Sequence, residues 1–287
     1  MTDLAVTSNE IAFLYASLGS AGGSDGGLLG TVFGTAGATG PSFQNPISAL
    51  QTAEASQTKD VAITASEPQV KRDIAAFTAG VQSAKTVQQL LDNPAVMKVL
   101  LTANGLADQI PYTALAQKAL MSNPADGKSL ANQLSDTRWK SAAQTYQFAT
   151  KGLSVIQNQS TLATIANAYA EVTWRTSLDA STPGLSNALT FRTEASGIKS
   201  VDQILGDPIM RTVVTTALGI PPQIAFQDLT AQETAISTRL DVKKFQDPKF
   251  VESFTQRYLI AAQGNSAAST TMPSLDALAA QARALTV

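Results

Sequence analysis

Part of this chain is written twice, and no other feature constrains its fold as strongly. Residues 85–112 align with residues 199–226 without a gap at a constant offset of 114, and eleven of the 28 positions are identical. Lys85, Val87, Gln89, Leu91 and Pro94 match Lys199, Val201, Gln203, Leu205 and Pro208. Val99, Thr102, Ala103, Gly105, Gln109 and Ile110 match Val213, Thr216, Ala217, Gly219, Gln223 and Ile224. Upstream, Phe77 falls on Phe191. Downstream, Leu134-Ser135-Asp136-Thr137-Arg138-Trp139 answers Phe245-Gln246-Asp247-Pro248-Lys249-Phe250 once the offset slips to 111.

The duplicated positions read as helix punctuation. Val87 with Leu91, and Val201 with Leu205, lie four apart and share one helical face. Asn93-Pro94 and Asp207-Pro208 stop that short helix and open the next at its first turn, where proline loses no hydrogen bond. The second helix, over 95–104 or 209–218, ends at Gly105 or Gly219. A left-handed C-terminal cap favours glycine there, and a hydrophobic Leu106 or Ile220 follows as that cap prefers. Ser135-Asp136 and Gln246-Asp247 offer N-caps, with Trp139 and Phe250 one turn inside to anchor the next helix on a core. Those last helices are predicted to reach about 149 and 263.

Other segments fit the same class. Ile47, Leu50, Ala53, Val61 and Ile63 suit a long helix ending near Ser66, and Pro68 opens another with Val70, Ile74, Phe77 and Val81 on one face. A further helix over 161–178 points Ile165, Ala168, Tyr169, Val172 and Leu178 inward. No alternating run is long enough for a sheet. The prediction is therefore an all-α fold of two similar multi-helix units, 45–152 and 153–263, related by a pseudo-twofold duplication. Before them lies 1–44, an apolar stretch and a flexible glycine-rich linker through Gly22–Gly27. After them, 264–287 is a small-residue linker and then an amphipathic helix with Leu275, Leu278, Ala282 and Leu285 on one face.

Composition narrows the function. The 287 residues include no His and no Cys, which removes the commonest general base, the commonest zinc ligands, thiol nucleophiles and disulfides. Twenty Lys and Arg against 22 Asp and Glu give a net charge of -2, without the basic footprint of a nucleic-acid or anionic-membrane binder. No run is apolar enough to span a bilayer, and the N-terminus does not read as a secretory signal. The expectation is a soluble protein that uses no cofactor or metal.

Candidate chemistry is weak. Gly127-Lys128-Ser129 looks like the end of a phosphate-binding loop, but Ser122 stands where its first glycine belongs, and a helix-connecting turn is the better reading. Ser196-Gly197-Ile198-Lys199 fits a serine-x-x-lysine pattern without the companion strings of that enzyme class, and Gly197 reads as a helix cap. Gly22–Gly27 with a lone Asp25 supplies too few oxygens for calcium. Arg138-Trp139 and Trp174-Arg175 could stack on a ligand, although aromatics at helical spacing more often belong to a core. No catalytic residue is assigned. A carboxylate hydrolase or lyase would need a deep pocket with two converging acids between the repeats, and a filled interface is expected there instead.

The strings Lys85-Thr86-Val87-Gln88-Gln89-Leu90-Leu91, Ser129-Leu130-Ala131-Asn132-Gln133-Leu134-Ser135-Asp136-Thr137-Arg138-Trp139 and Ser200-Val201-Asp202-Gln203-Ile204-Leu205-Gly206-Asp207-Pro208 resemble a bacterial domain-of-unknown-function family encoded among alphaproteobacterial flagellar genes. The similarity spans about 45–263. It implies an all-helical domain linked to flagellar assembly or motility, with protein partners among flagellar components, and it supplies no catalytic residues. The absence of Cys, the linker and the C-terminal apolar stripe agree with a subunit exported by the flagellar apparatus. The chain lacks the Asn-Asn-Ile-Ala-Asn-type motif of rod and hook proteins near its N-terminus. The expected function is that of a non-enzymatic flagellum-associated structural or interaction protein, capable of self-association. A cytoplasmic adaptor or chaperone of the same system is the alternative.

Overall fold

A computed structural model describes residues 45–271, with side chains through residue 264. The predicted N-terminal stretch and linker, and Leu275, Leu278, Ala282 and Leu285, lie outside the described residues. Within them the fold is all-α, and no strand occurs among the described residues.

The helices are α1 (Pro46–Ser66), α2 (Pro68–Ser83), α3 (Val87–Leu91), α4 (Pro94–Ala103), α5 (Thr113–Leu120), α6 (Leu130–Gln133), α7 (Thr137–Tyr146) and α8 (Phe148–Lys151). They continue as α9 (Gln159–Leu178), α10 (Leu185–Glu194), α11 (Val201–Gly206), α12 (Pro208–Ala217), α13 (Leu229–Ser237) and α14 (Pro248–Thr271). Short 3-10 turns lie at Ala107–Gln109, Ala195–Gly197, Pro222–Phe226 and Val242–Gln246.

Each duplicated signal has a local hydrogen-bond reason. Thr86 Oγ1 accepts from the Gln89 backbone N–H at 3.1 Å, and Gln89 Oε1 reaches back to the Lys85 N–H at 2.9 Å. Ser200, Gln203 and Lys199 repeat the pattern at 3.3 and 2.6 Å. This is a capping box closed one residue early, and it accounts for the glutamine in both copies. Asn93 Oδ1 accepts from the N–H groups of Ala95 and Val96, and Asp207 Oδ1 from those of Ile209 and Met210. Pro94 and Pro208 then stand first in α4 and α12. At the far ends Gly105 and Gly219 adopt φ of 71° and 65°. The Leu106 and Ile220 N–H groups close back on Leu101 and Thr215 carbonyls at 2.8 Å, satisfying groups the helix end would otherwise orphan.

Two predicted helix ends differ. The helix expected to reach about 149 breaks at Gln147, whose φ of 48° is left-handed. The break turns Phe148 into the core, where it stacks on Tyr146 with ring centroids 5.6 Å apart. In the second copy α14 runs straight through the predicted linker at 264 to Thr271. A single glycine inside an established helix costs only about 1 kcal/mol.

The core lies in two clusters, which do not follow the sequence boundary at 152/153. One is built on α2 to α9, around Phe77, Leu90, Leu100, Leu120, Trp139 and Ile156. The other is built on α10 to α14, around Phe191, Ile204, Val213, Phe245 and Phe254. The long helices exchange between them. Ala49, Leu50 and Ala53 of α1 are buried in the second cluster, whereas Leu162, Ile165 and Tyr169 of α9 are buried in the first. Trp174, further along α9, joins the second. Ala168, Val172 and Leu178, predicted to point inward, are only half-buried.

Candidate functional site

Most residues singled out by sequence serve the fold. Trp139 and Trp174 are buried in the two clusters and offer no ring to a ligand. Phe250 is half-buried at the edge of an aromatic group, stacked on Phe254 with centroids 5.7 Å apart and with Lys244 Nζ 5.7 Å above its ring. Gly127, Lys128 and Ser129 lie in the turn between α5 and α6, where Asp126 accepts from the Lys128 N–H at 2.9 Å. Ser122, in place of the missing glycine, is buried; its Oγ donates to the Lys118 carbonyl and accepts from the Ala131 N–H. Ser196 offers its carbonyl to Gln246, and Lys199 is exposed. Gly197 closes a 3-10 turn without a left-handed φ, so it is not the helix cap expected from sequence.

The interface between the copies is not filled throughout. A cleft of about 620 Å³ opens there, floored by Ala168, Glu171, Val172 and Arg175 of α9. The Gly105 turn, Asp108 and Arg138 wall one side. The start of α12 and the Thr190, Thr193 and Glu194 stretch of α10 wall the other. Periodicity assigned Ala168 and Val172 to a buried face, and they instead line this concavity, which no local pattern encodes.

Two arginines organise the cleft. Arg138 donates Nε to both Asp136 oxygens at 3.0 and 3.2 Å and one terminal nitrogen to Asp136 at 2.7 Å. It also reaches Asp108 at 3.3 Å and the Gly105 carbonyl, so it ties the cap of α7 to the cap of α4. Burial opposes its charge, and Asp136 and Asp108 more than compensate. Arg175 pairs with Glu171, which also accepts from Gln57 at 2.8 Å. Its other terminal nitrogen lies 3.4 Å from Thr190 Oγ1, and its Nε is buried without a partner among the described residues.

The acids are mostly committed. Asp207 caps α12, Glu171 is held by Arg175 and Gln57, and Asp108 is paired with Arg138. Glu194 is different: it is solvent-accessible yet recessed, and crowding by protein raises its pKa above the usual carboxylate range. Neighbouring Asp207 adds to the shift, while Arg175 and Arg138 oppose it. One such acid without a second uncommitted carboxylate falls short of an acid/base pair. Among the described residues no three acidic side chains gather as a metal site.

One duplicated feature ends in an aromatic that neither core cluster contains. The string Gln109-Ile110-Pro111-Tyr112 and its counterpart Gln223-Ile224-Ala225-Phe226 keep a Gln-Ile pair and a terminal aromatic. Tyr112 is 59% exposed and Phe226 89%. The repeat made both visible in sequence, but exposure of an aromatic follows from tertiary packing and does not show in spacing.

An all-helical protein with a twice-used capping scheme is the class these observations define. The chain belongs to a family of proteins of unknown function, DUF1217, whose model matches residues 103–251, just over half the chain, including both sides of the cleft. The crystal structure of a protein from Agrobacterium tumefaciens superposes with a TM-score of 0.65 at 23% identity, covering 78% of this chain and 96% of that one. The two share a fold. A search of curated proteins finds no match. No described helix is long and apolar enough to cross a membrane.

Proposed function

We propose that this chain is a non-enzymatic interaction or structural protein of the bacterial flagellar system. The observation that carries an interaction role is the pair of exposed aromatics, Tyr112 and Phe226, at one position of the repeat. Seventeen of the 28 repeat positions have diverged, yet this one keeps an aromatic that contributes little to either core. Exposed aromatics beside apolar neighbours are contact points for protein partners. The commitment of Asp207, Glu171 and Asp108 to caps and ion pairs supports the non-enzymatic reading. The flagellar assignment rests on the sequence resemblance. A deletion strain should swim poorly, and the protein should co-fractionate with flagellar structures; normal swimming together with absence from hook, rod and filament would sink the proposal.

A second reading, a cytoplasmic adaptor of the same system, is favoured by the cleft of about 620 Å³ between the two copies, where a segment of a client could dock. Fractionation separates the two, because an adaptor stays in the cell.

A further inference from the structure

The second copy carries a groove beside its exposed aromatic. It is about 480 Å³, lies between α12, the 3-10 turn at Pro222–Phe226 and α14, and sets Ile220, Pro221 and Ile224 against Thr212, Thr215 and Thr216 of α12. In the first copy the positions of Pro221 and Pro222 are Ala107 and Asp108, and Asp108 is drawn toward Arg138. Phe226 follows the groove residue Ala225 directly, yet its ring stands in solvent at 89% exposure instead of filling the space beside it. Knob and hole thus sit on one patch.

Charge repeats the pattern. Arg211 lines the groove, and its guanidinium makes no hydrogen bond or ion pair among the described residues. Two residues beyond Phe226, the exposed Asp228 uses its carboxylate only to cap α13 through the Ala231 N–H at 2.9 Å. The patch therefore offers an apolar knob beside an anion and an apolar hole beside a cation. A surface complementary to itself in both shape and charge is what a twofold, isologous contact requires.

We infer that this face joins two copies of the chain, each Phe226 entering the other's groove and each Asp228 approaching the other's Arg211. The inference is independent of the flagellar reading. It is tested on the full chain by sedimentation velocity up to about 100 µM, a range that detects any contact tighter than a weak encounter. The wild type sediments as a dimer. Phe226→Ala raises the dissociation constant about 100-fold, because the twofold removes two anchors at once. Arg211→Glu weakens the dimer and lowers its salt dependence. Tyr112→Ala, at the equivalent position of the first copy, leaves it intact. Circular dichroism stays unchanged in all three, since each side chain is at least partly exposed. A monomeric wild type, a dimer indifferent to Phe226→Ala, or one weakened equally by Tyr112→Ala overturns the inference.

Discussion

Asp73 shows how one side chain can hold three helices. It receives Lys98 Nζ at 2.7 Å from α4, the Tyr169 hydroxyl at 2.7 Å from α9 and Gln69 Nε2 at 3.0 Å within α2. Partial burial opposes its ionisation, but these donors outweigh it and hold its pKa below the usual carboxylate value. Tyr169 is pushed up in turn, by its own burial and then by Asp73. A depressed folded pKa gives stability that is present above the unfolded value and is lost as pH falls through the folded one. Tyr169→Phe should therefore destabilise by about 1.5 kcal/mol at pH 7, with the difference shrinking below about pH 4. Urea melts at both pH values check this. Glu194 has the opposite sign: its raised pKa makes ionisation a penalty in the folded state, so stability is lost as pH rises through the unfolded value toward the folded one. Glu194→Gln should raise the melting temperature at pH 7 and leave it unchanged near pH 3. An equal shift at both would deny the carboxylate that role.

Among the elements, the two caps at Gly105 and Gly219 carry an expectation that links sequence to stability. Both are left-handed, and an added Cβ meets nothing within 4 Å, so backbone strain alone decides the outcome of a substitution. Gly105→Ala and Gly219→Ala should each destabilise by about 1–2 kcal/mol, the penalty of left-handed backbone for an L-residue. Gly197→Ala, with equal space and no left-handed φ, should be neutral or stabilising by up to about 1 kcal/mol. Denaturation of the three variants side by side checks the contrast. These caps, the prolines of α4 and α12 and the all-helical class were legible because each depends on neighbours within a few residues. The break at Gln147 was not, since it is stabilised by Phe148 reaching a core assembled from distant helices. The cleft was illegible for the same reason: Arg138-Trp139 and Trp174-Arg175 read as ligand-stacking pairs or core aromatics, and only the packed fold turns the arginines toward Asp136, Asp108 and Glu171.

At the scale of the whole molecule, the duplication in sequence does not become two separable bodies. Gly206, at the end of α11, lies against the Ser135 carbonyl and Thr137 Cγ2 at the start of α7, and a Cβ there would collide with main chain that cannot rotate away. Gly206→Ala should thus strain the junction itself, by about 1–3 kcal/mol. The exchange of long helices goes further. A fragment of residues 45–152 would keep α1, whose Ala49, Leu50 and Ala53 belong to the second core, and would lose α9, whose Leu162, Ile165 and Tyr169 complete the first. It would expose one apolar face and leave another uncovered. Burial of a single such leucine or isoleucine contributes about 1.5–3 kcal/mol, so the missing α9 alone approaches the 5–15 kcal/mol that a domain has in total. The fragment should be largely unfolded by circular dichroism, whereas residues 45–271 should melt in one cooperative step reported alike by far-ultraviolet signal and by the fluorescence of Trp139 and Trp174. Because those tryptophans sit in different clusters, a biphasic fluorescence melt would separate the cores and refute the coupling that the exchanged helices imply.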